Sequence, residues 1–316
     1  MPETRRALLF HVARLYYEQQ KTQAEIGRLI HTSRPSVSRI LKEARDTGVV
    51  NITLNYPWER DIPLEKEFVN HFNLKDARIL KSYDQNNDQI IKGLGFFAAE
   101  YIDNTIQEGD VITCSYGRTV ASTIQALNPN RKLKITVVQM IGALGVENPF
   151  IDGPDLVRFL SQKYGGEYRY LLAPLVVQDS ATRQALVSQI RFQQTMELAK
   201  SAKIAVSGIG SMEEDLPSLI WTNYIHNEKW KALHDKGAVG HFSAFFLEED
   251  GNLLDDEINQ RVISMDLESL KRIPYMIAVA GGKLKARAIL SALKGGYPNI
   301  LVTDDSAANK VLDLIH

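Results

Sequence analysis

Strand-like and helix-like segments alternate along most of this chain, and that alternation is its strongest constraint. Short runs of β-branched and apolar residues predict strands over 76–80, 110–114, 134–140, 167–172, 203–208, 275–280 and 299–303. Longer segments with apolar residues at helical spacing predict helices over 87–107, 119–127, 154–164, 180–200, 227–235, 282–294 and 305–315. Such alternation predicts an α/β fold, in which a Rossmann-like parallel sheet carries helices on both faces.

The N-terminal segment has a different pattern, which predicts three helices joined by short turns. The first helix is predicted over 5–18. Thr22 and Glu25 have the spacing of a capping box that starts a short second helix, and Ser33 is placed to cap a third. Residues 49–56 then predict a strand or wing. This order of elements is typical of a winged helix-turn-helix domain.

The predicted third helix has one apolar face and one polar face. Its apolar residues, spaced by one helical turn, are Val37, Ile40, Leu41 and Ala44. The rest is small, hydroxylated and cationic, and comprises Ser33, Arg34, Pro35, Ser36, Ser38, Arg39 and Lys42. Arginine can read guanine edges, while serine and lysine can hold phosphates. A solvated amphipathic helix would share this pattern, so the interpretation as a recognition helix depends on the capped helix and tight turn before it.

The charge of the 316-residue chain is unevenly distributed. Residues 1–55 contain nine Lys and Arg but five Asp and Glu, whereas the whole chain has a net charge of −1. A basic N-terminal segment on an acidic body suggests that only this segment meets a polyanion. Pro57 and Pro63 bracket a short segment. We therefore predict a DNA-binding domain over 1–55, a linker over 56–63, and an effector-binding and oligomerisation domain over 64–316.

Composition argues against several other classes of protein. The single cysteine, Cys114, excludes an intramolecular disulfide and a multi-cysteine metal site, and the seven histidines show no zinc spacing. We therefore expect no metal and no cofactor. No apolar run approaches the roughly 18 residues that span a bilayer, and the N-terminal residues lack a signal-peptide pattern. We expect a cytoplasmic protein without a membrane partner.

Two loops that follow predicted strands combine glycine, cations and the start of a helix. One is Ser115-Tyr116-Gly117-Arg118-Thr119, and the other is Gly281-Gly282-Lys283-Leu284-Lys285. Each could form an anion-binding nest, although a simple helix cap would look the same. In a parallel sheet such loops share one edge, so both could converge on one phosphate. Gly142–Gly145 and Gly208–Ser211 are further glycine-rich strand ends, for which close chain packing is the alternative.

One apparent nucleotide-binding motif is better explained by packing. Gly93-Leu94-Gly95-Phe96-Phe97-Ala98 matches the dinucleotide fingerprint with alanine in its last position. That fingerprint must directly follow a strand, but here it lies inside a continuous predicted helix. Its small residues therefore indicate close helix packing.

The chain resembles the SorC family of bacterial sugar-responsive transcriptional regulators over nearly all of its length. The N-terminal resemblance lies in YYEQQKTQAEIGRLIHTSRPSVSRILKEARDTGVV, and the body contributes SYGRT, VVQMIGALG, APLVV, VSGIGS, KGAVG, AVAGGKLKARAI and ALKGGYPNILVTD. The resemblance implies an effector domain similar to sugar-phosphate isomerases, a phosphorylated sugar as effector, and a homo-tetramer on operator DNA. By motif, it places Ser115, Gly117, Arg118, Thr119 and Lys285 at the sugar-phosphate site, which Gly281 and Gly282 shape. We also predict Gly142 and His241 as effector-binding residues.

The chain departs from the family pattern in two places. The family often has Gly-Asp-Ile where this sequence has Gly240-His241-Phe242. His241 brings no fixed negative charge, so it would change how sugar hydroxyls are recognised if it lies in the site rather than serving a structural role. Some relatives have a lysine in the segment that corresponds to Met140-Ile141-Gly142, and Ile141 cannot form a Schiff base.

The sequence thus predicts a DNA-binding regulator of a carbohydrate operon that is not an enzyme. Two alternatives remain open. The effector could be an unphosphorylated sugar or sugar alcohol. The chain could also be a sugar-phosphate isomerase or deaminase with an added DNA-binding segment, although Asp152, Asp155 and Asp304 form no recognisable catalytic set.

Overall fold

The computed structural model describes residues 3–50, 58–83, 85–146, 148–213, 221 and 224–315. The chain divides into two compact units, Met1–Pro57 and Trp58–His316. No helix in the described part of the chain is long and apolar enough to cross a membrane.

The smaller unit contains three helices around its own apolar core. These are α1 (Glu3–Ala13, continued by a π-helical turn over Arg14–Glu18), α2 (Gln23–Leu29) and α3 (Arg34–Asp46). Its fully buried side chains include Leu9, Val12, Ile26, Val37 and Ala44. Most of the strand or wing predicted over 49–56 lies outside the described residues.

Both predicted caps of the smaller unit are present. The hydroxyl of Thr22 accepts a hydrogen bond from the Glu25 backbone N–H at 3.3 Å, and the Glu25 carboxylate accepts from the Thr22 backbone N–H at 2.8 Å. Ser33 Oγ accepts from the Ser36 N–H at 3.3 Å and so caps α3. These bonds satisfy N–H groups that have no partner inside the helix, and they fix where α2 and α3 begin.

The larger unit carries eleven of the described helices. They are α4 (Ile62–Phe72), α5 (Asn87–Thr105), α6 (Arg118–Ala126), α7 (Gly153–Tyr164), α8 (Ser180–Val187), α9 (Ile190–Lys200), α10 (Asn227–Asp235), α11 (Glu257–Arg261), α12 (Leu267–Lys271), α13 (Ala286–Lys294) and α14 (Asp305–Asp313). The predicted helix over 180–200 is wrong as a single element, because Gln189 adopts an extended backbone that ends α8 and caps α9.

The sheet of the larger unit has seven parallel strands in the order β1-β9-β8-β5-β2-β3-β4. With two further short strands, the described strands of the larger unit are β1 (Asp76–Leu80), β2 (Val111–Cys114), β3 (Thr136–Gln139), β4 (Glu167–Arg169), β5 (Ile204–Ser211), β6 (Gly240–Phe242), β7 (Phe245–Leu247), β8 (Tyr275–Val279) and β9 (Ile300–Asp304). The short strands β6 and β7, which we did not predict, extend β5 as an antiparallel hairpin. The predicted α/β class with a parallel sheet is confirmed.

The apolar residues of the sheet point into two separate cores, as expected for a parallel sheet covered on both faces. Gly93 and Gly95 lie inside α5, as predicted. A Cβ atom on Gly95 would lie 2.4 Å from Ser122 Oγ of α6, so this glycine permits close packing of the two helices. Cys114 is fully buried, and burial raises the pKa of its thiol to about 12.

The segment before α4 is part of the larger unit. The Asp61 N–H donates to the Ile79 carbonyl at 2.8 Å, and the Lys81 N–H donates to the Glu59 carbonyl at 2.9 Å. Arg60 also forms a two-bond ion pair with the buried Glu65 of α4. Residues 59–61, which we predicted to belong to a linker, therefore lie against the outer edge of β1, and Ile62 and Pro63 are the first residues of α4.

Candidate effector site and nucleic-acid interface

The two glycine-containing loops lie on either side of the carboxyl end of β5. This follows from the sheet order, since β5 pairs with β2 on one side and with β8 on the other. A Cβ atom on Gly208 would be 3.3 Å from Thr119 Oγ1 and 3.9 Å from the Val279 carbonyl oxygen. Thr119 of the first loop and the end of β8, which leads into the second loop, thus lie beside the same part of β5. This is near the carboxyl ends of the strands, where α/β sheets hold ligands. We call the space above Gly208 the β5 crevice.

Each loop starts a helical segment with a glycine in a backbone conformation that other residues rarely adopt. Gly117 caps α6 with φ +108°, and Gly282 caps a 3₁₀ turn over Lys283–Lys285 with φ +93°. A Cβ atom on either glycine would meet no atom within 4 Å. The glycines are therefore required by backbone conformation and not by packing, and each has open space on the side where a Cβ atom would lie.

Asp304 fixes the second loop. This fully buried carboxylate accepts the Gly282 N–H at 2.5 Å through Oδ2, while Oδ1 accepts the N–H groups of Ser306 and Ala307 at the start of α14. A Cβ atom on Gly281 would lie 2.4 Å from Oδ2. The sequence placed Asp304 near a strand end but gave it no role. In the structure it joins the turn to α14.

Lys285 reaches from the second loop to β5. Its Nζ donates a hydrogen bond to the Ile209 carbonyl oxygen at 2.9 Å. Burial, followed by the positive charge of Arg118, lowers the pKa of Lys285 to about 8, while Asp304 acts in the opposite direction. Lys285 is therefore a cation within the electrostatic reach of Arg118 at the β5 crevice.

Arg118 is paired at the protein surface. Its Nη2 donates to Asp88 Oδ1 at 2.6 Å, and the two side chains are 58% and 75% exposed. Such exposed pairs contribute about 0–1 kcal/mol, so exchange of the partner for another anion costs little. Arg118 therefore has a carboxylate partner at the surface.

The hydroxyl groups of the first loop are buried. Ser115 Oγ donates to the Tyr116 carbonyl at 3.4 Å, and Thr119 is also buried beside Gly208. The buried phenol oxygen of Tyr116 has no hydrogen-bond partner among the described residues. Burial raises the pKa of Tyr116. Tyr116 was predicted only as part of the loop and without a role of its own.

His241 lies on β6, opposite Gly210 of β5. The indole N–H of Trp221 donates to His241 Nε2 at 3.1 Å. Burial, followed by the positive charge of Lys285, lowers the pKa of His241 to about 3. The ring is therefore neutral, and since Nε2 accepts a hydrogen bond, its proton lies on Nδ1. Trp221 was not identified from the sequence.

Gly142 differs from the other predicted effector-binding residues. A Cβ atom there would lie 2.2 Å from the Pro174 carbonyl oxygen, and the Gly142 N–H donates to the Ile263 carbonyl at 2.8 Å. Close chain packing, the alternative left open by the sequence, accounts for this glycine. The nearby Asp152 carboxylate accepts the N–H groups of Leu144 and Gly145 and so shapes the same loop.

The candidate nucleic-acid interface is the exposed side of α3. Its apolar face is buried in the smaller unit, through Val37, Ile40, Leu41 and Ala44. The residues predicted to contact DNA are exposed, with the half-buried Ser36 as the exception: Ser33, Arg34, Pro35, Ser38, Arg39 and Lys42. The helix thus presents small, hydroxylated and cationic side chains on one continuous side.

The acidic residues considered for catalysis have structural partners. Asp152 and Asp304 accept backbone N–H groups at helix starts, and Asp155 pairs with Arg158 at 2.7 Å. In the described part of the chain, no group of three or more His, Cys, Asp or Glu residues is placed to hold a metal ion.

Comparisons with known proteins agree with this architecture. The family model "Putative sugar-binding domain" matches residues 56–313. The deoxyribonucleoside regulator of Bacillus subtilis is 28% identical, and the alignment covers 99% of each chain. The transcriptional regulator LsrR of Klebsiella pneumoniae is 30% identical, with 97% of this chain and 93% of that protein covered.

A solved structure matches almost the whole chain. The crystal structure of the full-length sorbitol operon regulator SorC from Klebsiella pneumoniae has a TM-score of 0.73 and 27% identity, and the match covers 98% of this chain and 100% of that one. The crystal structure of the "Putative Sugar-Binding Domain of Transcriptional Repressor" from Vibrio fischeri has the same TM-score at 29% identity, over 80% of this chain and 99% of that chain. The chain belongs to the SorC family of sugar-responsive transcriptional regulators.

Proposed function

We propose that this regulator binds a phosphorylated sugar in the β5 crevice and that the sugar controls operator binding by α3. The observation that carries the proposal is that Gly117 and Gly282, each at the start of a helical segment and each with open space beside it, lie on opposite sides of one strand. Helix starts and a nearby lysine favour a compact dianion such as a phosphate. Lys285 supplies the half-buried charge, and Arg118 can exchange Asp88 for the ligand.

The remaining residues of the β5 crevice are proposed to select the sugar. Ser115 and Thr119 contribute hydroxyl groups beside the first helix start, and Gly281 lets the second loop approach Asp304. His241, held by Trp221, contributes a neutral ring. A sugar hydroxyl that needs a fixed negative acceptor would therefore bind less well here than at an aspartate. Gly142 is assigned a packing role instead.

We propose that operator binding is controlled by thermodynamic linkage between effector binding and DNA binding. A homo-oligomer, which we propose to be a tetramer, would place pairs of smaller units on a two-fold symmetric operator. The effector would favour one arrangement of the oligomer and so change operator affinity. In this assignment residues 1–55 bind DNA, the larger unit binds the effector and oligomerises, and the protein acts in the cytoplasm. Relatives that regulate sorbitol and deoxyribonucleoside genes support a carbohydrate operon as the target.

The test is calorimetric titration of the full chain with matched pairs of sugars and sugar phosphates, among them sorbitol with sorbitol 6-phosphate and deoxyribose with its 5-phosphate. We expect at least one phosphorylated member to bind at least tenfold more tightly than its partner. Equal affinity for both members of every pair that binds would overturn the phosphate assignment.

A second candidate is an unphosphorylated sugar or sugar alcohol as effector. It is favoured by the existing partners of both cations, since Arg118 pairs with Asp88 and Lys285 bonds to the Ile209 carbonyl. In that case the neutral member of a pair binds as well as the phosphate or better, and release of operator DNA follows the same order.

We also propose that the chain is not an enzyme. Isomerisation or deamination of a sugar needs a base beside the reacting carbon. The nearby carboxylate of Asp304 is fully buried and is engaged by backbone N–H groups. Incubation with each sugar phosphate that binds, followed by product analysis, should show no turnover.

A further inference from the structure

The last strand of the sheet, β4, has a free edge. It pairs with β3 on one side, and no other strand lies beyond it in the described ranges. All three of its residues are exposed, and Leu172 just after it is 89% exposed. At the opposite end of the sheet, Arg60 forms an antiparallel bridge with Leu80, so the edge of β1 is partly covered. A free edge is a template for pairing with another strand.

The backbone groups of Tyr168 point towards that free edge. The Glu167 N–H donates to the Ile135 carbonyl of the neighbouring chain segment at 2.9 Å. Backbone groups of successive strand residues alternate between the two edges, so the N–H and carbonyl groups of Tyr168 face away from β3. Tyr168 therefore offers one donor and one acceptor at the edge.

The sequence of β4 is complementary to itself when read antiparallel. Glu167 and Arg169 flank Tyr168 on the same face of the strand. In an antiparallel pair centred on Tyr168, Glu167 of one copy lies opposite Arg169 of the other, and the reverse pair forms by symmetry. Opposite charges placed directly across two strands stabilise the pairing. The same register places Tyr170 opposite Gly166, where the absence of a side chain leaves room for the ring.

We propose that β4 pairs antiparallel with β4 of a second copy of this chain, about a two-fold axis through Tyr168. Two sheets of seven parallel strands would then join into one continuous sheet. The proposal rests on the homo-oligomer of the proposed function and names one of its interfaces. It does not depend on which effector binds.

The contacts that β4 makes within one copy are weak enough to be replaced by contacts with a second copy. Arg169 donates to Glu167 Oε2 and to the Tyr168 carbonyl, both at 2.9 Å. The two charged side chains are 53% and 72% exposed, so their pair is weak in water. When the two strands pair, the Tyr168 N–H of the second copy replaces the Arg169 guanidinium as the donor to the Tyr168 carbonyl. Arg169 then forms its ion pair with Glu167 of the second copy.

The test is a charge-swap cycle measured by sedimentation of the full chain. Glu167→Arg and Arg169→Glu each place like charges opposite one another, so each should weaken assembly at least tenfold. For a tetramer with two kinds of two-fold interface, the mass should fall to about half. The double variant Glu167→Arg with Arg169→Glu restores opposite charges and should assemble within about threefold of the wild type. Glu268→Arg, on the exposed side of α12, is the matched control and should assemble normally.

A cross-linking experiment tests the interface without relying on variants that could lose assembly for other reasons. Residues that form a hydrogen-bonded antiparallel pair have Cα atoms about 5.5 Å apart, within disulfide range. Mild oxidation of Tyr168→Cys should therefore give a covalent dimer without changing the mass of the assembly, whereas Arg169→Cys should not cross-link efficiently.

The outcomes distinguish failure of the proposed β4 interface from failure of the proposed oligomer. An oligomeric wild type with unaffected single variants, or a double variant as weak as the single ones, would overturn the β4 interface alone. A wild type that stays monomeric at tens of micromolar would overturn both the interface and the proposed oligomer. Restored assembly in the double variant together with the Tyr168→Cys cross-link would support a second copy, and not another protein, as the partner of β4.

Discussion

The indole N–H of Trp221 donates a hydrogen bond to Nε2 of His241 across 20 residues of sequence, at a distance of 3.1 Å. The imidazole ring is buried, next to Gly210, and also packs edge-on against Phe246. Burial and the positive charge of Lys285 oppose protonation of the ring and lower its pKa to about 3. A histidine in this environment links the stability of the larger unit to pH.

We expect His241 to make the larger unit less stable as the pH falls. In the unfolded chain its pKa is the ordinary value of about 6.5, so between pH 6.5 and 3 the unfolded state binds a proton that the folded state does not. From pH 7.5 to 5.5 this residue should remove about 1.4 kcal/mol from the free energy of unfolding. The measurement is urea unfolding followed by tryptophan fluorescence, which reports only on the larger unit because Trp58, Trp221 and Trp230 all lie there.

Two variants make the origin of that pH dependence clear. His241→Gln should lose about 1.4 kcal/mol less than the wild type between the two pH values, whatever its stability at pH 7.5. The exposed His234 is the matched control, and His234→Gln should keep the wild-type difference. An unchanged pH difference in His241→Gln would show that the ring is not buried in its neutral form.

Gly142→Ala is expected to destabilise the larger unit by about 1–3 kcal/mol, because the new Cβ atom would lie 2.2 Å from the Pro174 carbonyl oxygen. Gly109→Ala is a useful comparison. Gly109 has φ +83° but no atom within 4 Å of an added Cβ, so only backbone strain of about 1–2 kcal/mol is expected. Urea unfolding of both variants measures the difference. A fully stable Gly142→Ala with weaker effector binding would return Gly142 to the effector site.

The elements that could be predicted from the sequence are those with a strong local signal. The strands β2, β3, β5, β8 and β9 have apolar or β-branched runs. The caps at Thr22 and Ser33 depend on residues only three positions away. The hairpin of β6 and β7 lacks such a signal. Its turn residues Ser243 and Ala244 both have positive φ, without the Asn-Gly or Asp-Gly pair that usually marks this kind of turn.

The candidate site could be predicted only in part, for a similar reason. Parallel topology was enough to bring Arg118 and Lys285 to one edge, since the carboxyl ends of parallel strands share one edge of the sheet. The partners of these side chains come from distant segments: Asp88 lies 30 residues before Arg118, and Ile209 lies 76 residues before Lys285. No local pattern encodes such pairs, and the same holds for Trp221 beside His241.

Arg39→Ala is expected to weaken specific operator binding by about 1–3 kcal/mol and to leave the fold intact. Arg39 is exposed on α3, away from the buried face, so its loss removes a base contact without opening the core. Lys42→Ala should weaken binding uniformly across DNA sequences and lower the salt dependence. Fluorescence anisotropy at fixed salt, with a DNA site selected from a random library by the wild-type protein, measures both.

The exposed Arg272 of the larger unit serves as the control for loss of one positive charge. Arg272→Ala should bind the selected site as the wild type does. Wild-type affinity in Arg39→Ala would refute the assignment of α3 as the helix that reads the operator.

The affinity for a sugar phosphate should fall as the pH rises from 7 to 9, because Lys285 loses its proton in this range. Its pKa of about 8 in the free protein means that most molecules carry the charge at pH 7 and few do at pH 9. If only the charged form binds phosphate, the apparent affinity falls about tenfold.

A phosphate group is already a dianion above pH 7, and the neighbouring His241 ring is already neutral there, so neither changes charge. Ordinary arginine and aspartate side chains do not titrate between pH 7 and 9.

Three titrations separate the causes. Lys285→Met should bind the phosphate about 1.5–3 kcal/mol more weakly at pH 7, the scale of a charged hydrogen bond, and its affinity should not change with pH. Lys285→Arg keeps a permanent charge, so it should bind equally well at both pH values. DNA affinity without effector should be the same in all three proteins. A wild-type affinity that is constant from pH 7 to 9, or one that falls equally in Lys285→Met, would show that Lys285 does not hold the phosphate.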